Sequence, residues 1–212
     1  MLHPTNQLKK LRQSIKQART IIRRVQMHES VTALDHLKVQ SYILLAHAAI
    51  EEYLEGLGRE VAREARRRFK SQGLITHALV ALIAAKALDD VADKARKRVS
   101  EDLSSNLDVF SELALNKYEG DLNSNHGILE KNQKNILLPI GVNPETTDTS
   151  LMNTMNAFGM TRGAIAHSFA MIRVEHTAGD VNNTLKTMLS SIANYDKAAC
   201  EALNYRMTKK SK

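Results

Sequence analysis

At 212 residues the chain can bury a sizeable core and is most simply one domain. Three prolines, nine glycines, no tryptophan and 4% aromatics argue against a sheet and for an all-α fold. The formal charge of +7 implies an anionic partner or a solvated basic surface, and a single cysteine, Cys200, excludes an intrachain disulfide and fits a reducing compartment.

Thr5 to His28 has helical spacing, with Leu8, Leu11, Ile15, Ala18, Ile22 and Val25 on one side. Its other positions are basic: Lys9, Lys10, Arg12, Lys16, Arg19, Arg23 and Arg24. An amphipathic helix with a solvated face is the favoured account, ahead of a dedicated RNA contact. The apolar core of a secretory signal does not follow the first lysines, so a cytoplasmic protein is expected.

A long helix is expected from about Leu34 to Phe69, open to a break at Gly56-Leu57-Gly58. Ile43, His47, Ile50, Leu54, Leu57 and Val61 form its inner seam, Glu51 flanks the seam and Glu52 points away. His47 reads as a satisfied core histidine. Beyond Gly58 the face turns basic, and Arg63, Arg66 and Arg67 are candidate RNA-binding residues because such a patch binds phosphate backbone without reading sequence.

Gly73 marks a turn. The apolar run Leu74 to Leu88 is interrupted by His77 and Lys86 and is too short to span a bilayer, so no membrane contact is expected. That helix carries on to Val99, and another runs from Ser100 to about Tyr118 with Leu103, Leu107, Phe110 and Leu113 inward. Residues 120–125 read as a loop and Gly127 to Leu138 as a short helix stopped by Pro139. Asp148, Thr149 and Ser150 offer an N-cap for the helix from Leu151 to Glu175. Asp180 is expected to cap a last helix to about Arg206, leaving Met207 to Lys212 as a basic tail.

The helix from Leu151 organises the rest. Leu151, Met155, Phe158, Ile165, Phe169 and Ile172 form its apolar seam, and Arg162 stands where the pattern asks for another apolar residue. A guanidinium keeps its charge, so burial there requires an anion, either a carboxylate such as Glu51 or a phosphate from outside. Gly159, Gly163, Ala166 and Ala170 form a stripe of small residues, which suits tight packing or the close approach of a partner. His167 lies five residues beyond Arg162, about 140° round the helix, so both reach one cleft.

H-E-x-x-H, paired cysteines, a phosphate-binding glycine loop and G-x-S-x-G are all absent from the sequence, so neither a metal nor a cofactor is expected. An Arg/His pair remains, and that pair can cleave RNA without metal. Histidine titrates near neutrality and can move a proton at the ribose 2′-hydroxyl or the leaving oxygen. Arginine can hold the scissile phosphate and stabilise its developing charge. One histidine does not readily serve two opposed oxygens, whereas a second copy across a two-fold axis brings a second pair.

Arg162-Gly163-Ala164-Ile165-Ala166-His167 is similar to the R-[GN]-x-I-A-H form of RiboL-PSP-type members of the HEPN superfamily. Ala48 to Leu54, with its acidic residue, resembles that family's early helix, and Asn125-His126-Gly127 together with Ile136 to Val142 resembles the segment ahead of the signature helix. The resemblance covers roughly residues 34–175. It implies a HEPN-type helical bundle that dimerises with the signature helices facing each other. It further implies a metal-independent endoribonuclease in a defence, toxin–antitoxin or RNA-processing setting, with RNA as substrate and an antitoxin or defence protein as partner. Arg162, His167 and Glu51 would be its catalytic residues. Two departures stand out: Gly163 replaces the polar residue many members carry, and Phe169 stands where members paired with a nucleotidyltransferase antitoxin have tyrosine. Two alternatives stay open, a non-catalytic HEPN module in a larger assembly and an unrelated basic helical protein that binds nucleic acid.

Overall fold

The computed structural model describes residues 1–29, 32–86, 103–166 and 176–204, which are helical with no strand among them. Helix α1 is Asn6–Ala18, extended by a 3-10 turn over Arg19–Ile22, so it ends earlier than the spacing to His28 suggested. Thr5 caps it by accepting the Leu8 N–H at 3.1 Å.

Helix α2, Ala33–Gln72, runs unbroken through Gly56 and Gly58. A capping box of Thr32 and Asp35 starts it and Gly73, at φ 63°, ends it in the left-handed region. Gly58 is a slot rather than a break. A Cβ there would fall on the Tyr118 hydroxyl, which donates to the Ile136 carbonyl at 2.6 Å.

Helix α3 is His77–Lys86, capped by Thr76. Helix α4, Leu103–Asn123, absorbs most of the expected loop over 120–125. Phe110 packs against the core as expected, but beyond it the phase differs. Leu113 is 56% exposed, and Ser111, Ala114, Tyr118 and Leu122 face inward because Tyr118 must enter the Gly58 slot. Helix α5, Glu130–Leu137, is shorter than expected and passes through a 3-10 turn, Leu138–Ile140, to Gly141.

Helix α6, Pro144–Ala166, bends at Asp148, where the backbone is extended. The Asp148 carboxylate caps the following turns by accepting the Leu151 N–H at 2.9 Å, and it holds Asn194 at 2.9 Å. Leu151, Met155 and Phe158 are buried as their spacing predicts, and Ile165 packs against the core from a partly buried position. His167, Phe169, Ile172, the stretch beyond Lys86 toward Val99 and the tail 207–212 lie outside the described residues. Helix α7, Ala178–Asn204, is capped by Thr177 and not by Asp180. Asp180 is the third residue of a capping box and returns a bond to the Thr177 N–H at 3.1 Å.

The buried apolar residues form one cluster that draws on all seven helices of the described residues, with α2 passing through its centre. Among the described residues one carboxyl group sits inside it. Asp196 of α7 is 0% exposed, and a buried carboxylate is tolerated only when its oxygens are satisfied. It accepts the Thr5 N–H at 3.0 Å, the Thr5 hydroxyl and the Tyr53 hydroxyl, and His3 Nδ1 lies 2.7 Å away. The start of α1, the middle of α2 and the end of α7 are joined there.

The Gly58 slot generates a test. Gly58→Ala should lower stability by about 1–3 kcal/mol, the usual cost of overpacking, although alanine is the better helix former. A urea melt that shows no loss would mean that Tyr118 can leave the slot at no cost.

Candidate functional site

Four-residue spacing on α2 places Ile43, His47, Glu51 and Glu55 on one stripe. A loop from the end of α4 crosses this stripe and is pinned from both sides. On the α2 side, Asn125 Nδ2 donates to Glu55 at 2.8 Å and to the Gly127 carbonyl at 3.1 Å, while Asn132 donates to Asn125 Oδ1 at 2.8 Å. On the α6 side, the Glu130 N–H donates to Asn156 Oδ1 at 3.0 Å. Gln133, 0% exposed, donates to the carbonyls of Ile128 and Met152 and accepts from Tyr195.

Two glycines make the crossing possible. Gly127 has φ 146°, a conformation closed to most other residues, and its amide stabilises the Glu51 carboxylate. Gly159 of α6 lets the loop lie close, because a Cβ there would stand 3.0 Å from Leu129 Cδ2 and 3.3 Å from Ile128. Gly163, one turn on, has no described residue within 4 Å of such a Cβ. The stripe of small residues therefore divides into a glycine the loop needs and one that no described residue approaches.

Arg162 follows Gly159 by three residues and is partly buried. Its charge acts on both Glu51 and His47, yet among the described residues no carboxylate closes an ion pair on it. Burial, and then Glu55, push the Glu51 carboxyl up, while Arg162, the Gly127 amide and His126 pull it back. His47 is 2% exposed, with Nδ1 3.6 Å from Glu51 Oε2. Burial first, and the Arg162 charge second, hold its imidazole down at about 4. It is neutral at pH 7, so its contact with Glu51 is a packing contact and not an ion pair.

Arg162 thus acts on Glu51 through its charge but does not form the ion pair expected of the two, and two histidines stand near Glu51. His47 was read as core and is buried, but it lies against Glu51. His126 belongs to the family-like stretch Asn125-His126-Gly127, and it stands exposed on the pinned loop close enough to act on Glu51. The available signal was its position directly before a glycine ahead of the Arg/His helix. His167 lies outside the described residues.

The family model for RiboL-PSP-HEPN matches residues 6–201. The chain belongs to the RiboL-PSP-HEPN family. No curated protein and no solved structure gives a match. The family match takes in α1 and nearly all of α7 of this RiboL-PSP-HEPN chain, well beyond the 34–175 stretch that carries the sequence resemblance.

The arginines expected to bind RNA on this HEPN chain are each engaged by acids. Arg63 pairs with Glu119 at 2.6 Å, Arg66 with Glu112 at 3.0 Å and Asp108 at 3.7 Å, and Arg67 with Glu64 at 2.7 Å. Arg68 shares Glu64 and donates to the Leu203 carbonyl at 2.9 Å. A groove of about 440 Å³ runs beside the Arg162 site between α2, α6 and α7, lined by Ile43, Ala157, Phe158, Thr161 and Val181 among others. Arg162 itself is not in its lining. Among the described residues no three His, Cys, Asp or Glu side chains form a metal cage, and no helix is long and apolar enough to cross a membrane.

The buried neutral His47 makes stability depend on pH. Its pKa is depressed on folding, so the unfolded chain takes up the proton first and stability is lost as pH falls from about 6.5 to about 4. The loss attributable to this group is at most about 3 kcal/mol. His47→Gln should flatten that part of the profile, read from urea midpoints across the window. An unchanged acid limb would show that His47 is not the group that titrates.

Proposed function

We propose that this protein is a metal-independent endoribonuclease, with Arg162 as its phosphate-binding group. The observation that carries the reading is an arginine held in the core seam of α6 beside Glu51 with no carboxylate of the described residues closing on it. Its charge remains available to an anion from outside.

In the proposed reaction the ribose 2′-hydroxyl attacks the adjacent phosphorus and the 5′-oxygen of the next nucleotide leaves. The 2′-hydroxyl proton passes to a base, the leaving oxygen receives one from an acid, and the products are a 2′,3′-cyclic phosphate and a 5′-hydroxyl. His167 takes one of these proton roles, following the family motif. The other falls to His167 of a second copy across a two-fold axis or to His126 of the same chain. Arg162 stabilises charge on the non-bridging oxygens. Glu51 is a positioning residue that accepts from the Gly127 amide of the 125–129 loop and feels the Arg162 charge without pairing with it. The outer side of α6, with Met160 64% exposed and no described residue within 4 Å of a Cβ at Gly163, suits the approach of a second copy. A defence, toxin–antitoxin or RNA-processing role is the setting that this reading fits.

Cleavage of single-stranded RNA should persist in excess chelator, and an all-DNA strand should be inert. Arg162→Ala should lower the rate by about 10²–10³ and His167→Ala by about 10²–10⁴, with both variants folded. Mixing excess His167→Ala with wild type should suppress activity beyond simple dilution if each cleft needs His167 from both subunits. If His126 supplies the second proton instead, His126→Ala should fall as far as His167→Ala and mixing should only dilute the wild type. Gly163→Ala should raise stability by about 0.5–1 kcal/mol while slowing cleavage, because it fills the open approach. A wild-type protein that leaves structured and single-stranded RNAs uncut would identify a non-catalytic HEPN module.

A further inference from the structure

We propose that the outer face of α1 and its 3-10 extension, together with the first turns of α7, is a phosphate-backbone groove that holds single-stranded RNA. The choice of RNA over other polyanions rests on the ribonuclease reading. The groove itself rests on availability of charge. Two adjoining concavities, of about 240 and 310 Å³, share Lys16 and Arg19 in their walls. Arg12 and Lys186 complete the first, Arg23 stands in the second, and neither wall contains an acidic residue.

All five cations are exposed, and among the described residues no carboxylate pairs with any of them. The arginines of α2 are the contrast, with Arg63, Arg66, Arg67 and Arg68 each held by glutamates. A phosphate approaching α2 must displace a carboxylate, whereas one approaching α1 displaces only water and mobile ions. Charge count alone does not separate the two surfaces, but pairing does.

The chemistry of the face also narrows the ligand. Leu8, Leu11, Ile15 and Ala18 are buried at 0 to 8% exposure, so α1 has no apolar side left to insert into a bilayer. The one aromatic in the walls, Tyr42, is 0% exposed and offers no ring for a base to stack on. What remains is a row of cations at four- and three-residue spacing, which contacts phosphates and leaves bases unread. Tyr42 and its neighbour Ile43 line the basic groove and the groove beside Arg162 respectively, as do Leu185 and Thr184 of α7. A strand held on the α1 face is therefore one helix width from the groove that flanks the candidate catalytic arginine.

The test measures binding without cleavage, on a fluorescein-labelled single-stranded DNA and on a 2′-O-methyl RNA of the same sequence, by anisotropy across salt. Five phosphate contacts predict a log–log salt slope near −3.5, or about a 100-fold loss of affinity between 50 and 200 mM salt. Arg12→Gln/Lys16→Gln/Arg19→Gln should reduce the slope by about 2, equally on both strands, with the thermal melt unchanged. If that variant is unstable, Arg12→Gln/Lys186→Gln, on two different helices, should reduce it by about 1.4. Arg63→Gln/Arg66→Gln/Arg67→Gln should change it much less. The proposal is overturned if the α2 variant loses as much as the α1 variant, if neither α1 variant moves the slope, or if vesicles with anionic lipid bind where the oligonucleotides do not. Because neither strand can be cleaved, this outcome is independent of whether the protein is a ribonuclease.

Discussion

A partly buried carboxylate, Glu51, is the point at which the two halves of the candidate site meet. Burial and the neighbouring Glu55 work against its charge, and the structure answers with an amide, a distant guanidinium and a loop histidine. Each answer comes from a different place. The amide requires Gly127 in a conformation that only glycine adopts readily, and the loop that carries it is fastened to α2 by Asn125 and to α6 by Gln133 and Asn156. Had Arg162 closed onto Glu51, the pair would have satisfied itself and a phosphate would have had to break it. Sharing the compensation among three donors leaves the guanidinium uncommitted while the carboxylate remains tolerable in a half-buried position.

The same distinction between committed and uncommitted charge runs through the whole molecule. The arginines on the second half of α2 attach neighbouring elements. Arg63 and Arg66 reach acids of α4, and Arg68 reaches the end of α7. Exposed pairs of this kind are individually weak, so their contribution is to orient the packed helices more than to stabilise them. Helix α1 is anchored differently. Its apolar side enters the core, and its start is held by the buried Asp196 through Thr5 and His3. The acids that dock it, Asp196 and Glu60, engage Thr5, His3 and Gln7 and not its cations, which face solvent. An excess of positive charge in a sequence thus says little about binding until the carboxylates are located.

What was legible in the sequence is what short-range periodicity encodes. The long α2, the buried Leu151, Met155 and Phe158 and the Asp148 cap follow from spacing and from a side chain that reaches three residues along. The errors share one cause, which is partners distant in sequence. Leu113 is more apolar than Ala114, and the Gly58 slot, sixty residues before Tyr118, decides that Tyr118 and hence Ala114 face inward instead. Asp180 is a sound capping residue, but Thr177 occupies the position that needs one, and the two form a box. Glu119 and Glu112 engage arginines fifty residues away, so a patch that is basic along the chain is not basic in space. For the site, spacing singled out Arg162 and Glu51 but not that the two stay unpaired, and it could not single out His126, since a loop residue shows no periodicity.

Gly163 carries the last step. A glycine inside a helix costs roughly 0.5–1 kcal/mol relative to alanine, and a chain accepts that cost where something lies too close for a methyl group. At Gly159 the reason is visible in Leu129 and Ile128. At Gly163, beside Arg162, no atom of the described chain approaches. The local rule is thus obeyed at one glycine and broken at its neighbour a turn away, and unexplained departures from local preference concentrate where a protein meets something else. The glycine lies next to the uncommitted guanidinium and near an exposed methionine, Met160, on the same outer surface of α6. A substrate strand or a second copy of the helix would need that space, and either would come within reach of the charge that the core has left unpaired.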